Sequence, residues 1–438
     1  METVCLVPGN ALRGSARLPG SKSIAQRLLL AASLAQGRTR LTALPSSADV
    51  LSARGLVEGV GASLSVLAPA ALSIAGLPPG PHRGWRSEQP LELGESGTLA
   101  RLATAAASLC GMSGREMTLR PGGTLQQRRS APLFAALRRA GVPLEHLGPA
   151  EGWPVRVRPI GPPSELLLEH PISSQELSAL LLALSAWPDE TQVRVAGTLP
   201  SRPYVDLTRS VLEQMGARVL DSEACWSVRG HLRAPADPVR IEPDASAAAV
   251  LLAAAVVSEG EVRVEGLGSR SAQGDWRIIE FLKALGGDCV ADEQSLLASG
   301  RVRRTATLSL EGHPDLAPVL AGVGAAHAWR GGEALRLEGL GTLPRKESSR
   351  IEVLARGFRQ AGLEVRHGSD WMEVGPRLAS SAQPVLLDPA GDHRMVFAFA
   401  LLGLVRPETA IAEPACVTKS WPGFFDELCR LGARLATR

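Results

Sequence analysis

Lysine is nearly absent from this chain, and most of the lysines that remain stand in short polar segments. Only four of the 47 basic residues are lysines. Three of them lie in the segments PGSKS (19–23), RKESSR (345–350) and TKS (418–420). An ammonium is a compact point charge on a flexible stem, whereas a guanidinium is a rigid planar fork. We therefore predict that Lys22, Lys346 and Lys419 bind anions and that Lys283 is an ordinary surface residue.

Polar residues also mark the starts of six predicted apolar helices. These helices begin near Lys22, Ser96, Ser173, Asp244, Asp315 and Asp392, about 71 to 77 residues apart. Ser and Asp favour the N-cap position. A helix N-terminus offers unpaired N–H groups and about half a positive charge, which attract phosphate and carboxylate. Because Arg27, Arg101, Gln175 and Arg394 follow within the first turns, the sequence predicts an anion-binding cleft.

A second periodic feature indicates the elements that carry these residues. Six apolar segments each end just before a glycine and are followed by a strand-like run, and their glycines recur about 70 to 80 residues apart. The glycines are Gly61, Gly141, Gly216, Gly286, Gly362 and Gly432. Glycine after the last helical turn allows the left-handed conformation that ends a helix. The two interlocking series predict one supersecondary unit repeated six times.

Composition limits the class of protein. With 438 residues, 45% of them hydrophobic and 21% charged, the chain is expected to form two globular domains. A net charge of +3 and 4% aromatic residues argue against a nucleic-acid partner. Apolar runs such as residues 245–257 fall short of the roughly 20 residues of a membrane span, and no secretion signal is apparent, so we expect a cytoplasmic protein without a membrane partner. Six cysteines without a Cys-x-x-Cys pair predict no zinc or disulfide framework.

The polar segments together resemble one family over the whole chain, the 5-enolpyruvylshikimate 3-phosphate synthases (3-phosphoshikimate 1-carboxyvinyltransferases) among the enolpyruvyl transferases. The motifs are LPGSKS (18–23) with Arg27, GESGTLAR (94–101), SSQ (173–175), SRPY (201–204), QGD (273–275), PD (314–315), RKE (345–347) with Arg350, DHRM (392–395) and Lys419. A single motif would be weak, but nine in this order are specific.

The resemblance implies a fold and a division of the chain. It implies an inside-out α/β barrel fold of two domains, each with three βαβαββ units, which agrees with the sixfold repeat. The expected domains are 21–240, on the side of shikimate 3-phosphate, and 1–20 with 241–438, on the side of phosphoenolpyruvate. The second domain would contain Asp315, Glu347, Arg350, Arg394 and Lys419.

The resemblance also implies how two anionic substrates are bound. Ser23 and Arg27 would bind the shikimate carboxylate, Ser173, Ser174 and Ser201 its 3-phosphate, and Gln175, Tyr204 and Thr342 would line the same pocket. Phosphoenolpyruvate would be bound by Lys22, Arg128, Arg350, Arg394 and Lys419, with the backbone of Gly97 close to it. Thr98 and Lys346 are also expected to bind substrate. Guanidinium groups suit this role because they bind carboxylate and phosphate through two parallel hydrogen bonds.

The implied reaction transfers an enolpyruvyl group from phosphoenolpyruvate to the 5-hydroxyl of shikimate 3-phosphate and releases phosphate. The hydroxyl adds to C2 while C3 is protonated, and the tetrahedral adduct then loses phosphate. Asp315 would be the base at the hydroxyl and Glu347 the acid at C3, while Lys22 and the other cations would stabilise the oxyanions. No metal and no cofactor are expected, and we expect a monomer.

Four positions depart from the family's usual pattern. Glu95 and Thr342 stand where Asn is common, Ser349 where Asp is common, and Arg129 where Pro is common. Glu95 would repel a bound phosphate unless a cation such as Arg101 or Arg129 pairs with it.

Two alternatives stay open at the level of sequence. One is the sister enolpyruvyl transferase acting on UDP-N-acetylglucosamine, which shares PGG (121–123). That enzyme usually has Cys at the position of Thr124 and Asn at that of Ser23, and it does not need the SSQ phosphate pocket. The other is a divergent paralogue with another acceptor or no turnover. Asp315, Glu347 and Lys22 argue against the loss of catalysis.

Overall fold

The structure is a computed structural model that describes residues 2–80, 82–222, 224–378 and 383–436. The helices are α1 (Lys22–Leu34), α2 (Ala48–Gly59), α3 (Gly97–Cys110), α4 (Ala131–Arg139), α5 (Ser174–Leu184), α6 (Pro203–Gln214), α7 (Ala245–Val257), α8 (Ile278–Ala284), α9 (Ala317–Trp329), α10 (Arg350–Gln360), α11 (His393–Gly403) and α12 (Phe424–Arg430). Short 3-10 helices cover Gly123–Gln127, Gly274–Arg277, Pro314–Leu316, Leu343–Arg345 and Pro414–Lys419.

The strands lie between these helices. They are β1 (Thr3–Val7), β2 (Arg13–Ala16), β3 (Arg38–Thr42), β4 (Ser63–Ala68), β5 (Ala71–Ala75), β6 (Leu91–Glu92), β7 (Met117–Arg120), β8 (Leu144–His146), β9 (Val155–Val157), β10 (Glu165–Glu169), β11 (Glu190–Ala196), β12 (Arg218–Ser222), β13 (Cys225–Arg229), β14 (Val239–Arg240), β15 (Glu261–Glu265), β16 (Gly287–Ala291), β17 (Ser295–Gly300), β18 (Thr307–Ser309), β19 (Leu335–Glu338), β20 (Leu363–His367), β21 (Trp371–Arg377), β22 (Val385–Leu387), β23 (Thr409–Ala412) and β24 (Arg434–Ala436).

The chain forms two compact units. Unit 1 comprises Met1–Pro19 and Pro243–Arg438, and unit 2 comprises Gly20–Glu242. Two short stretches of chain connect them, one after Pro19 and one after Glu242. The assignment of one substrate to each unit stays a prediction.

Each unit contains three four-stranded sheets with one shared topology. The strand orders are β14-β3-β5-β4, β6-β7-β9-β8 and β10-β11-β13-β12 in unit 2, and β2-β15-β17-β16, β18-β19-β21-β20 and β22-β23-β1-β24 in unit 1. In every sheet the first two strands are parallel and the other pairings are antiparallel, for example β10 with β11 and β11 with β13. The predicted six βαβαββ repeats are confirmed.

Three of these repeats are completed by strands distant in sequence. β14 lies beside β3 although about 200 residues separate them, and β2 pairs with β15 in the same way. β1 is the third strand of the last sheet, between β23 and β24. The N-terminal strands therefore belong to unit 1, which explains why the chain must cross twice.

The first helix of each repeat is buried in the interior of its unit. α3 packs on α1 and α5 in unit 2, and α7, α9 and α11 pack on one another in unit 1. α7 shows the cause in its sequence, ASAAAVLLAAAVV, which is apolar on all sides. A helix without a polar face is stable only when it is surrounded by protein.

The second helix of each repeat ends as the sequence predicts. Its glycine has a positive φ in all six repeats, between 87° at Gly362 and 119° at Gly432. This left-handed conformation suits glycine because it lacks a Cβ, and it turns the chain towards the next strand.

The predicted N-caps are found with one exception. The side chains of Ser21, Ser96, Ser173, Asp244 and Asp392 each accept a hydrogen bond from an N–H in the first turn of the following helix. The prediction was wrong for Asp315, which lies in the 3-10 helix Pro314–Leu316, while α9 begins only at Ala317. Pro318 lies in the first turn of α9, where its missing N–H costs no helical hydrogen bond.

The helices of the described residues are all too short or too polar to cross a membrane.

Candidate active site

In unit 2, the N-terminus of α1 presents the first predicted lysine. Lys22 Nζ lies 2.9 Å from Asp49 Oδ2, at the start of α2. Gln26, one turn further along α1, donates to the backbone oxygen of Asp49 at 3.1 Å and to Ser96 Oγ at 2.7 Å. These contacts join the N-termini of α1, α2 and α3.

Arg27 is buried, with only 1% of its surface exposed, and its hydrogen-bond acceptors are all neutral. Nε donates to Thr208 Oγ1 at 2.7 Å, Nη1 to the Ser23 carbonyl at 2.9 Å and Nη2 to the Tyr204 carbonyl at 3.4 Å. Burial lowers the pKa of Arg27 to about 10, partly offset by Tyr204, so the group is cationic at neutral pH. Two of its five N–H groups are left for a ligand.

A second arginine connects α3 with α5. Arg101 Nη1 donates to Gln175 Oε1 at 3.0 Å, and Gln175 Nε2 donates to Thr98 Oγ1 at 2.9 Å. Arg101 Nε also donates to Ser130 Oγ at 3.0 Å. The predicted site residues Thr98 and Gln175 are therefore in direct contact.

The serines predicted to bind phosphate lie at two neighbouring helix starts. Ser173 is the N-cap of α5, and the buried Ser174 is the first residue of that helix. Ser201 has a φ of 54°, and the helix α6 that follows contains Tyr204, the single tyrosine of the chain. α5 and α6 pack against each other.

Gly97 is in close contact with a predicted ligand of phosphoenolpyruvate. A Cβ at Gly97 would lie 2.5 Å from Arg128 Nη1 and 3.1 Å from Arg101 Nη1. The nearby Glu95 carboxylate accepts a hydrogen bond from the hydroxyl of Thr124 at 2.9 Å and from its N–H at 3.3 Å. The first turn of α3 thus has two guanidinium groups beside it.

In unit 1, Arg350 holds three carboxylates together. Nε lies 2.8 Å from Asp392 Oδ2, Nη1 lies 2.9 Å from Asp315 Oδ1 and Nη2 lies 2.7 Å from Glu347 Oε2. Although burial acts in the opposite direction, the charges of Asp392, Glu347 and Asp315 raise the pKa of Arg350. A fourth hydrogen bond, from Nη2 to Asp392 Oδ1 at 3.4 Å, leaves one N–H on Nη1 for a ligand.

Arg394 approaches the same group of carboxylates from the start of α11. Its Nη1 donates to the Asp315 carbonyl at 2.8 Å, and its Nη2 donates to Ser246 Oγ at 3.2 Å. Ser246 in turn donates to the buried Asp275. Burial raises the pKa of Asp275 to about 6. The positive charge of Arg394 acts in the opposite direction, and the negative charge of Asp315 adds to the increase.

The two remaining lysines and Thr342 also lie in unit 1. Lys346 Nζ lies 3.3 Å from Asp315 Oδ1, and burial lowers the pKa of Lys346 despite the attraction of Asp315. Lys419 is the last residue of a 3-10 helix and is 7% exposed. The Thr342 hydroxyl is buried and has no hydrogen-bond partner within the described part of the chain.

The structure thus brings most of the predicted residues into one cluster in each unit, and it adds members that the sequence did not indicate. Asp49 contacts Lys22 from 27 residues away, and Thr208 contacts Arg27 from 181 residues away. No local sequence pattern indicates either contact. Asp392 belongs to a quoted motif and was predicted as an N-cap, but its contact with Arg350 was not foreseen.

The chain is similar to known proteins over nearly its full length. A family model described as EPSP synthase (3-phosphoshikimate 1-carboxyvinyltransferase) matches residues 6–428. A 3-phosphoshikimate 1-carboxyvinyltransferase from Photobacterium profundum is 31% identical over 437 residues, which are 98% of this chain and 99% of the relative. The enzyme of the same name from Vibrio cholerae serotype O1 (strain M66-2) is 31% identical over 440 residues, with 98% and 100% covered.

Two solved structures share the fold. EPSP synthase from Acinetobacter baumannii matches with a TM-score of 0.79 at 22% identity, covering all of both chains. The enolpyruvyl transferase NikO from Streptomyces tendae matches with a TM-score of 0.71 at 15% identity, covering 100% of this chain and 99% of the other. These similarities confirm the predicted fold class.

Proposed function

The chain belongs to the EPSP synthase (3-phosphoshikimate 1-carboxyvinyltransferase) family, and we propose that it transfers the enolpyruvyl group of phosphoenolpyruvate to the 5-hydroxyl of shikimate 3-phosphate, releasing phosphate. The observation that carries this proposal is the family match across residues 6–428. The similarity favours this function over the UDP-N-acetylglucosamine transferase.

For shikimate 3-phosphate, the cluster in unit 2 supplies suitable groups. The hydroxyls of Ser173, Ser174 and Ser201 would bind the phosphate next to the N-terminus of α5, whose backbone N–H groups favour an anion. The two available N–H groups of Arg27 would bind the carboxylate with Ser23. Gln175 and Tyr204 would orient the ring between these anchors.

For phosphoenolpyruvate, the proposed cationic ligands are Lys22, Arg128, Lys346, Arg350, Arg394 and Lys419. Arg350 is mainly engaged with carboxylates, so we assign it one hydrogen bond to the substrate and assign the larger share of charge compensation to the other cations. These cations would stabilise the oxyanions of the tetrahedral adduct and the departing phosphate.

For proton transfer, we propose Asp315 as the base at the 5-hydroxyl and Glu347 as the acid at C3. This proposal is supported by the hydrogen bonds that Arg350 donates to both carboxylates, because these bonds restrict the orientation of Asp315 and Glu347. Positioned general acids and bases typically contribute 10² to 10⁴ in rate each.

A phosphate-release assay tests the proposal. Phosphoenolpyruvate is offered with shikimate 3-phosphate, with UDP-N-acetylglucosamine, or alone, in a buffer containing a metal chelator. We expect phosphate only in the first mixture, with one enolpyruvyl ether formed per phosphate. Phosphate release with UDP-N-acetylglucosamine instead would support the sister transferase. If neither acceptor leads to phosphate release, the result would support a divergent paralogue.

A further inference from the structure

Unit 2 contains a cavity whose lining residues the proposed reaction does not use. A cavity of about 910 Å³ lies between α2, the segment that leads into β6 and the turns that flank β7. Small-molecule sites in proteins commonly enclose about 300 to 1,000 Å³. The cavity is therefore large enough for a ligand of two fused rings or more.

Glycine on α2 opens the floor of this cavity. Gly55 and Gly59 are one helical turn apart and line the cavity together. A Cβ at Gly55 would meet no atom within 4 Å, whereas one at Gly59 would lie 3.0 Å from the side chain of Leu91. Pro90, Leu91 and Met112 add apolar surface beside the exposed helix backbone.

The rim carries unequal charges. Arg86 and Arg115 line the cavity, are exposed, and form no ion pair or side-chain hydrogen bond with any described residue. The pairing of residues 85 and 111 brings their segments together. The lining also contains two carboxylates, those of Glu88 and Glu92. Glu92 lies 3.3 Å from Arg120, which compensates its charge, so among the lining residues Glu88 is left to balance the two guanidinium groups.

From the apolar floor and the two guanidinium groups we propose that the cavity is a regulatory site for a small apolar carboxylate, an aromatic or alicyclic acid. The ring system lies over Gly55 and Leu91, and the carboxylate is bound by Arg86 and Arg115. Arginine suits this role because its planar fork binds a carboxylate through two hydrogen bonds.

The walls of the cavity connect it to the candidate active site. Gly94 and Gly122 line the cavity, and the Gly122 N–H donates to the Gly94 carbonyl at 2.7 Å. Gly94 has a φ of 57° and packs on Ser52 of α2 so closely that a Cβ would lie 2.3 Å from its hydroxyl oxygen. Three residues later the chain reaches Gly97. A ligand that moves this turn changes the position of the α3 N-terminus and thus the affinity for phosphoenolpyruvate. This last consequence rests on the proposed function.

Binding is tested without any substrate, so the outcome does not depend on the proposed activity. The probe is 2-naphthoate, compared with its neutral amide, 2-naphthamide, by isothermal titration calorimetry. We expect saturable 1:1 binding of 2-naphthoate in the millimolar range or tighter, and about tenfold weaker binding of the amide because a charge-assisted hydrogen bond is lost.

Three variants locate the site. Gly55→Leu fills the floor and should abolish binding, while leucine's higher helix propensity preserves α2. Arg86→Gln combined with Arg115→Gln should reduce the affinity for 2-naphthoate to that for the amide. Arg54→Gln, on α2 but outside the cavity lining, is the matched control and should bind as the wild type does. Three results would each overturn the proposal: no saturable binding at about 10 mM, equal affinity of the wild type for acid and amide, or binding retained in Gly55→Leu. Wild-type affinity for 2-naphthoate in the double arginine variant would also overturn it.

Discussion

Arg27 in unit 2 and Arg350 in unit 1 are both almost completely buried, yet their surroundings are opposite. Arg27 donates to one hydroxyl and two carbonyls, so its positive charge is not compensated by its hydrogen-bond partners. Arg350 donates to Asp315, Glu347 and Asp392. Burial lowers the pKa of Arg27, whereas the three carboxylates raise that of Arg350.

The difference indicates that the two arginines have different roles. A buried charge without a counter-ion is costly, and an anionic ligand relieves that cost. This supports the proposal that Arg27 binds an anion such as the carboxylate of shikimate 3-phosphate. Arg350 already has more negative than positive charge around it, and we propose that its main role is to hold the carboxylates of Asp315, Glu347 and Asp392 in place.

The largest expected effect is on the free energy of unfolding, which should fall far more when Arg350 is replaced than when Arg27 is replaced. Arg350→Met leaves the buried carboxylates of Asp315 and Asp392 and the partly buried Glu347 without their common partner, and it should lower the free energy of unfolding by about 3 to 5 kcal/mol. Arg27→Met removes an uncompensated charge and should cost about 1 kcal/mol or less. Chemical denaturation of both variants checks this. Equal destabilisation would contradict the contrast between the two sites.

A somewhat smaller effect is expected in the pH dependence of stability. Because burial raises the pKa of Asp275 to about 6, the folded state favours its protonated form. The stabilising contribution is complete below the unfolded pKa near 4 and is lost as the pH rises through about 6, a change of about 3 kcal/mol for two pKa units.

Asp275→Asn should remove this dependence. Calorimetry from about pH 4 to 7.5 should show wild type losing stability relative to the variant as the pH rises. Asp292→Asn is the control. Hydrogen bonds from Ser295 and Gln294 lower the pKa of Asp292, so its contribution to stability is complete above the unfolded pKa near 4 and should not change with pH in this range. A constant difference between wild type and Asp275→Asn would show that this carboxylate is not strained by burial.

The lysine prediction gives a more moderate effect on catalysis. Lys22→Arg keeps the charge but replaces the ammonium that lies 2.9 Å from Asp49 with a larger planar group. We expect kcat/KM to fall by more than about tenfold, or about 1.4 kcal/mol. The exposed Lys283 of α8 is the matched control, and Lys283→Arg should be silent. Near-wild-type activity in both variants would refute the argument from lysine scarcity.

The smallest effect is expected at Gly97. Gly97→Ala places a methyl group 2.5 Å from the present position of Arg128 Nη1, so the guanidinium must move. The KM for phosphoenolpyruvate should rise about two- to fivefold without a loss of thermal stability, since alanine favours the helix. Gly55→Ala, where the methyl group meets open space, is the control and should leave KM unchanged.

The sequence predicted the features that local chemistry determines. The glycines that end six helices and the polar caps that begin five were visible because each rule involves neighbouring residues. Asp315 was misplaced as a helix cap, because it lies in the 3-10 helix that precedes α9 and its carboxylate accepts a hydrogen bond from Arg350, 35 residues away.

The contacts that distinguish the two arginines could not be predicted from spacing. Thr208 reaches Arg27 across 181 residues, and Asp392 reaches Arg350 across 42. Whether an arginine meets a hydroxyl or a carboxylate depends on how whole repeats pack, which no motif records. Family resemblance named both arginines as ligands, but only the structure shows that one is neutrally and the other negatively surrounded.

Isothermal titration calorimetry with shikimate 3-phosphate tests most directly whether substrate binding and proton transfer are carried by different residues. Ser174→Ala removes a proposed phosphate donor and should weaken binding about 10- to 100-fold, the usual contribution of a hydrogen bond to a charged group. Glu347→Gln should bind within about twofold of wild type while kcat falls by about 10² to 10⁴. Unchanged binding in Ser174→Ala together with lost binding in Glu347→Gln would contradict the account.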